Sequence, residues 1–437
     1  MAAGLVALVL GLAVPFGVMG PKFILDDWFT VYFRTFQGVL WSGGHGQLAA
    51  RPGAWLTYLL EFGLVGPHPL AIYAIQTCLN AAIAVALFRL ARRFVPSASA
   101  MAIAVVWVIL QDHSSVDHWA STTPSQVSLL LLLLGGLSLV TATDDDRRGG
   151  VAVALFVLSA LAYEATLPVA ATALFAVPWL RRRRIPWATA GAQLVPLVAT
   201  GGWMLAHTQH HEHAWFGFSL VYPAHFGWGI TPTRSIGQVV GAAFAVTLAG
   251  LAAAYILGRR GPVTSALPLI GTGVAVIVLG TLAFARDPID PIGLGDRANV
   301  VASIGAACVW AALGLLAWQW RRVVGAVAAA AFVGLSLTAR VQRDLDYARA
   351  GQDTIDILAA IGRTYPVPPA GVIVVGPAPV FHHNITGLIG EIREATDAYT
   401  HDIRYVATMA KDSTAFRSVP VSRRLDYRPF LRSFSAR

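Results

Sequence analysis

Two adjacent carboxylates, Asp26 and Asp27, stand in the run Leu25-Asp26-Asp27-Trp28, just past an apolar stretch, with Lys22 ahead of them. Such a pair can serve as a general base, as a metal ligand, or as one of each, because a second negative charge nearby raises the first group's pKa. The same two residues also suit the capped, solvated start of a loop. Arg34, His45 and Arg51-Pro52 follow. Far along the chain, Arg286-Asp287-Pro288-Ile289-Asp290-Pro291 precedes Gly295-Asp296-Arg297-Ala298-Asn299. An arginine at the lip of a helix can hold a phosphate by two parallel hydrogen bonds, which lysine does less well; a snorkelling side chain or an Asp296–Arg297 helix cap are the plainer uses. In His207-Thr208-Gln209-His210-His211-Glu212-His213, the first histidine is spaced three and four residues from His210 and His211. That spacing shares a helical face, and imidazole with carboxylate suits a divalent metal such as zinc, although an exposed histidine-rich loop needs none. His113, Asp117 and His118 lie in a neighbouring polar stretch and could complete such a site. Glu164 follows Tyr163 at a turn between apolar runs, where an ionisable group faces a cavity or a partner, or simply a wet turn. Walker loops, dinucleotide fingerprints and nucleophile elbows are missing, which removes support for nucleotide chemistry.

The elements that must position these residues belong to a membrane. Of the 437 residues 56% are hydrophobic and 13% charged, with a mean hydropathy of +0.61, whereas soluble domains carry about 25% charge. Cys78 and Cys308 sit inside apolar runs and read as packing residues. The net charge of +9 does not point to nucleic acid. Lys22 and Lys411 are the two lysines, and arginines cluster between apolar runs as the positive-inside bias requires. At about 20 residues per crossing, about eleven spans are expected: 3–20, 69–88, 97–111, 124–143, 149–163, 166–180, 187–206, 236–257, 263–284, 298–319 and 323–340. Arg89, Arg92 and Arg93, Arg147 and Arg148, Arg181–Arg184, Arg259 and Arg260, and Arg321 and Arg322 fall on alternate connections, which should be cytoplasmic. All twelve histidines fall on the opposite connections or in the tail. The N-terminus is then cytoplasmic. The expected organisation is a transmembrane domain over 1–340, with its polar groups concentrated in a first outer loop at 21–68, and a small extracytoplasmic α/β domain over 341–437. That tail should contain a helix near Asp344–Arg363, a strand Val372–Val375, a helix near Thr386–Ala398 and a strand Ile403–Ala407.

Several stretches, taken in order, resemble the polyprenyl-phosphate-sugar-dependent glycosyltransferases of the GT-C fold, a mannosyltransferase-like group of bacterial integral membrane proteins. Asp26-Asp27 resembles that family's acidic pair, and Arg51-Pro52 its motif ahead of the second span. Leu79-Asn80-Ala81 running into Arg89-Leu90-Ala91-Arg92-Arg93 is similar to the second span, with Thr77 where histidine is common. Asp117-His118-Trp119-Ala120-Ser121 looks like the third outer element, without its usual arginine. Ala162-Tyr163-Glu164 with Pro168 resembles the acidic turn, and Gly295-Asp296-Arg297 with Ser303-Ile304-Gly305 the arginine-bearing start of a late span. The resemblance spans roughly residues 20 to 310. It implies an all-α polytopic GT-C-like protein of the plasma membrane that moves a sugar, with inversion, from a polyprenyl-phosphate donor to a hydroxyl of a glycan, lipid or protein acceptor on the extracytoplasmic face. Asp26 would be the base, with Asp27 supporting it or holding a metal together with His210 and His211. Arg297 would hold the donor phosphate, assisted by Arg286, Arg51 or Lys22. Glu164, His118 and His207 would contact the sugar or the acceptor.

Two other readings share this topology. A transporter or flippase for a lipid-linked glycan would need polar or broken helices at mid-membrane, whereas the polar residues here gather toward one surface. A polysaccharide ligase or polymerase would share the lipid-phosphate site and differ in whether its donor carries one sugar or a chain.

Overall fold

A computed structural model of the chain describes residues 1–36, 51–142, 146–180, 187–207, 247, 263–284, 294–376, 392–400, 407–409, 420, 424–428 and 433–436. Helix α1, Ala2–Met19, is apolar all round and stops at Gly20, whose φ of 78° provides a left-handed cap. After an extended stretch come α2, Asp26–Phe36, and α3, Pro52–Val65, with proline at its first turn. The bundle continues through α4 Pro69–Ala91, α5 Ser97–Ile109, the short α6 Ser114–His118, α7 Thr123–Thr141, α8 Asp146–Ala162, α9 Leu167–Leu180, α10 Trp187–His207, α11 Val263–Thr281 and α12 Ala302–Trp320. Helix α13, Arg322–Thr364, leads to the tail.

Among the described residues, five helical segments are long and apolar enough to cross a membrane: Ala2–Met19, Pro69–Ala91, Ala120–Thr141, Ala302–Trp320 and Arg322–Thr364; four shorter apolar helices accompany them. Leu10, Val14 and Val18 of α1, like Val323, Val327 and Val333 of α13, are exposed, a pattern that suits lipid and not water. The chain is a multi-pass membrane protein. The expected spans that fall on described residues coincide closely with helices, while α2 and α3 lie within the expected loop 21–68; the expected span at 236–257 lies outside the described residues except for residue 247. Close helix contact uses small residues: Gly273 of α11 and Gly305 of α12 face each other so tightly that a Cβ on either would lie 2.6 and 2.3 Å from the other's carbonyl oxygen.

Helix α13 passes through residue 340 without a break. Its 43 residues make about 65 Å of helix against about 30 Å of hydrocarbon, so the helix reaches well beyond the bilayer. Beyond it, β1 Ile373–Gly376, β2 Ala407–Met409, β3 Arg424–Arg428 and β4 Ser433–Ala436 form a sheet of order β2-β1-β3-β4. β1 pairs parallel with β2 and β3, and β3 antiparallel with β4. β1 is the expected strand at Val372–Val375, and α14, Ile392–Thr400, covers the later part of the expected helix; residues 386–391 and 401–406 lie outside the described residues. β3 and β4 were not anticipated from the sequence, because Arg424-Leu425-Asp426-Tyr427-Arg428 is too charged to read as a strand. Ile373, Val375 and Leu425 of the sheet share one buried cluster with Trp28 of α2, Trp55 and Phe62 of α3, and Ile357 and Ile361 of α13. The tail and the first polar loop therefore have a common core.

Candidate active site

The acidic pair divides its labour. Asp27 is 1% exposed. Its Oδ2 accepts the Ile24 backbone N–H at 3.0 Å, and its Oδ1 accepts both the backbone N–H and the hydroxyl of Ser121 at 2.7 Å. The bond to Ile24 closes the entrance of α2 in the manner of a capping box, while those to Ser121 tie α2 to the stretch between α6 and α7. Burial pushes the Asp27 carboxyl up to about 7, the bonds from Ser121 and Ile24 oppose the rise, and Asp26 adds to it. Asp26, by contrast, has a side chain 52% exposed, and its Oδ2 lies 3.7 Å from Nη1 of Arg297, itself 45% exposed. Just ahead of both, Leu25 has a φ of 45°, an unusual conformation for a bulky residue that costs about 1–2 kcal/mol. As successive positions on α2 the two carboxylates point apart, Asp27 held inward by its three bonds and Asp26 facing solvent.

Arg297 arrives on the short 3-10 segment Leu294–Asn299 ahead of α12. Its guanidinium lies over the Trp119 ring at 4.9 Å from the centroid, and Asn299 anchors the segment through a 2.9 Å bond to the Asp112 carbonyl. At 3.7 Å the Asp26–Arg297 contact is an ion pair and not a hydrogen bond, so both groups retain free valences for a third partner.

A second guanidinium enters from α3. Arg51 stands at the N-cap of that helix, pairs with Glu164 and lies 5.5 Å from the Tyr163 ring centroid. The pairing depends on Gly53, where an added Cβ would sit 2.7 Å from the Ala162 backbone nitrogen; without a side chain there, α3 can touch the end of α8 and bring Arg51 to the residue two places on. Two phenols complete the cluster. Tyr58 donates to the Ser121 carbonyl at 2.6 Å and is within electrostatic reach of Asp26, Arg51 and Arg297. Tyr163 is within reach of Glu164, Arg297 and Arg51 and bonds Ser125. Glu61, one turn beyond Tyr58, is 4% exposed; its Oε1 accepts from the Thr123 hydroxyl at 2.9 Å. Burial lifts its carboxyl to about 8 against that hydrogen bond, and the charge of Asp27 adds to the lift.

Of the residues singled out in the sequence, Asp26, Asp27, Arg51, Glu164 and Arg297 come together. His118 does not join them in its contacts: it is 4% exposed, its Nδ1 donates to the Ser114 carbonyl at 2.7 Å, and its Nε2 lies 2.6 Å from Oδ1 of Asp344. Lys22 sits just past α1, its stem against Gly351 of α13. Arg286, His210 and His211 lie outside the described residues, and for His207 the described part is the backbone at the end of α10. Asp27 fits a metal poorly, since three N–H and O–H donors already occupy its two oxygens; among the described residues no group of three His, Cys, Asp or Glu side chains converges. Sequence reasoning passed over Tyr58, Glu61 and the tail residues Arg340 and Asp344. The signal for the first two was present: with Thr57 they are the polar positions in the largely apolar run Trp55–Val65.

No family model matches the chain, and no curated protein matches it in sequence. Its fold is similar to the crystal structure of ArnT from Cupriavidus metallidurans bound to undecaprenyl phosphate, with 14% identity, a TM-score of 0.50, and coverage of 93% of this chain and 89% of that one. It is more distantly similar to the Archaeoglobus fulgidus oligosaccharyltransferase in complex with Zn and sulfate, at 10% identity and a TM-score of 0.45, covering 92% of this chain and 62% of that one. ArnT in the apo state aligns at 14% identity and a TM-score of 0.37 over 95% of this chain and 87% of that one. The class expected from the sequence, an all-α polytopic membrane protein of GT-C-like fold, is borne out.

Proposed function

We propose that the chain is a membrane glycosyltransferase that moves a sugar from a polyprenyl-phosphate donor to an acceptor hydroxyl on the extracytoplasmic face, with inversion. The observation that carries this reading is the open ion pair between Asp26 and Arg297, two residues from distant parts of the chain held 3.7 Å apart with both side chains about half exposed. The likeness of the fold to ArnT, solved with undecaprenyl phosphate, supports it.

In this reading the donor phosphate lies between Arg297 and Arg51, backed by Trp119, Tyr58 and Tyr163. Arg51 exchanges Glu164 for a phosphate oxygen as the donor enters. The acceptor hydroxyl gives its proton to Asp26 while its oxygen attacks the anomeric carbon. The bond from that carbon to the phosphate oxygen breaks, and its electron pair leaves with the polyprenyl phosphate, whose added negative charge falls to the two guanidinium groups. One displacement inverts the anomeric centre. An acid is not required because phosphate leaves as an anion. Asp27 serves as the anchor of this arrangement, fixing α2 and Ser121 so that its neighbour faces the hydroxyl.

The test is to incubate purified protein with a panel of polyprenyl-phosphate sugars and follow donor consumption. Replacing Asp26→Asn should lower kcat by roughly 10²–10⁴ while donor affinity persists, and Arg297→Ala should cost about 1.5–3 kcal/mol of donor affinity. Near-normal turnover by the Asp26 variant would remove it as base. Movement of donor across a bilayer without its consumption would replace the enzyme by a transporter.

A further inference from the structure

The five residues Asp117–Ser121 bind in two directions at once. On one side they grip α13, the long helix that leads into the tail. Oδ2 of Asp117 accepts from Nη1 of Arg340 at 2.9 Å, and its Oδ1 accepts from Asn80 at 2.7 Å. His118 shares a hydrogen bond with Asp344, stacks on Tyr347 with centroids 4.8 Å apart and 6° between planes, and meets the edge of Phe16 of α1. Arg340 also donates from Nε to the Leu12 carbonyl of α1. On the other side the same stretch builds the site: Trp119 carries Arg297, Ser121 binds Asp27 with two donors, and the Ser121 carbonyl accepts from Tyr58. Leu25, just ahead of Asp26, packs in one buried cluster with Trp119, Tyr347 and Ala350.

Asp117, His118, Arg340 and Asp344 are each less than 9% exposed. Buried charges contribute little net stability compared with apolar residues of equal volume, because desolvation offsets their attraction. What such a network supplies is a unique register, since a displaced α13 would leave the His118 imidazole without Asp344 and the Arg340 guanidinium without Asp117. We infer that Arg340 and Asp344 are positioning residues for the donor site: through Asp117 and His118 they set where Trp119 and Ser121 stand, and hence where Arg297 and Asp26 meet. The role assigned to that meeting point rests on the glycosyl-transfer reading; the mechanical coupling does not.

Both parts can be measured on the full-length protein in lipid nanodiscs. Asp344→Asn and Arg340→Lys are compared with wild type and with Gln352→Ala, an exposed position farther along the same helix. The first readout is amide exchange of the peptides covering 24–30 and 117–123. The second is undecaprenyl-phosphate affinity, measured for each variant alone and combined with Trp119→Leu. Expected results are exchange about tenfold faster in both peptides, affinity about tenfold weaker, thermal stability within a few degrees of wild type, and no further loss when Trp119→Leu is added, because residues acting through one path are not additive. Wild-type exchange in both peptides, strictly additive losses of affinity, or losses that appear only together with collapsed thermal stability in both variants would overturn the inference. If the wild type consumes no sugar donor yet the exchange pattern appears as expected, glycosyl transfer fails and the coupling stands.

Discussion

At Asp26 and Asp27 two identical side chains, one peptide bond apart, meet different solvents. Asp27 is enclosed with three donors, and Asp26 is left beside a cation at the surface. Enclosure has a further consequence at Glu61. Its folded pKa of about 8 stands above the model-peptide value of 4.5, so between those limits the folded protein holds a proton that the unfolded chain has released. Stability therefore declines as pH rises from about 4.5 to about 8 and levels off above, with Asp27 contributing in the same direction up to about 7. Glu61→Gln keeps the shape and the acceptor for Thr123 while removing the charge. A thermal melt series from pH 5 to pH 8.5 should show the variant more stable than wild type at the alkaline end and with a flatter pH dependence. Parallel curves for the two proteins would mean that Glu61 stays ionised in the fold. Tyr58 and Glu61 also show the limit of single-residue reading: polar positions in a largely apolar run announce that something is buried there, but not what it faces.

Elements place these groups through a few close approaches. Arg51 reaches Glu164 because α3 touches the last turn of α8 at Gly53, where a Cβ would clash with main-chain atoms at 2.7–2.9 Å. Backbone cannot retract as a flexible side chain can, so Gly53→Ala should tilt the start of α3 and draw Arg51 from its partner. The expected outcome is a donor affinity lowered by roughly tenfold, comparable to losing a charge-assisted hydrogen bond, with Arg51→Ala adding little in the double variant. An unchanged affinity in Gly53→Ala would show that the helix accommodates the methyl elsewhere. The motif Arg51-Pro52-Gly53 was legible as a helix start from its proline. That its glycine serves a contact with residues more than a hundred positions away was not.

For the whole molecule, apolar helices fix that the chain crosses a membrane, and the arginine clusters carry the expectation of which ends face the cytoplasm. Arg92 and Arg93 lie just past α4, and Arg321 and Arg322 lie at the junction of α12 and α13, where that bias would place them on the cytoplasmic side. Single cysteines introduced at Arg93 and at Val367, which is 73% exposed, into a Cys78→Ala, Cys308→Ala background should react with an impermeant maleimide from opposite sides of intact cells: Val367→Cys from outside, Arg93→Cys only after permeabilisation. Labelling of both from outside would invert or break the topology on which the extracytoplasmic site depends.

Hydropathy and charge by themselves determined the membrane class and the long apolar helices among the described residues, though not the helices Asp26–Phe36 and Pro52–Val65, because lipid imposes a one-dimensional rule: about 20 apolar residues per crossing, with cations left on one side. They could not tell which aspartate is enclosed, that His118 is committed to Asp344, or that the tail shares its core with α2 and α3. Those facts depend on contacts between residues tens to hundreds of positions apart, and burial, pairing and proton affinity are properties of the neighbours a side chain meets after folding.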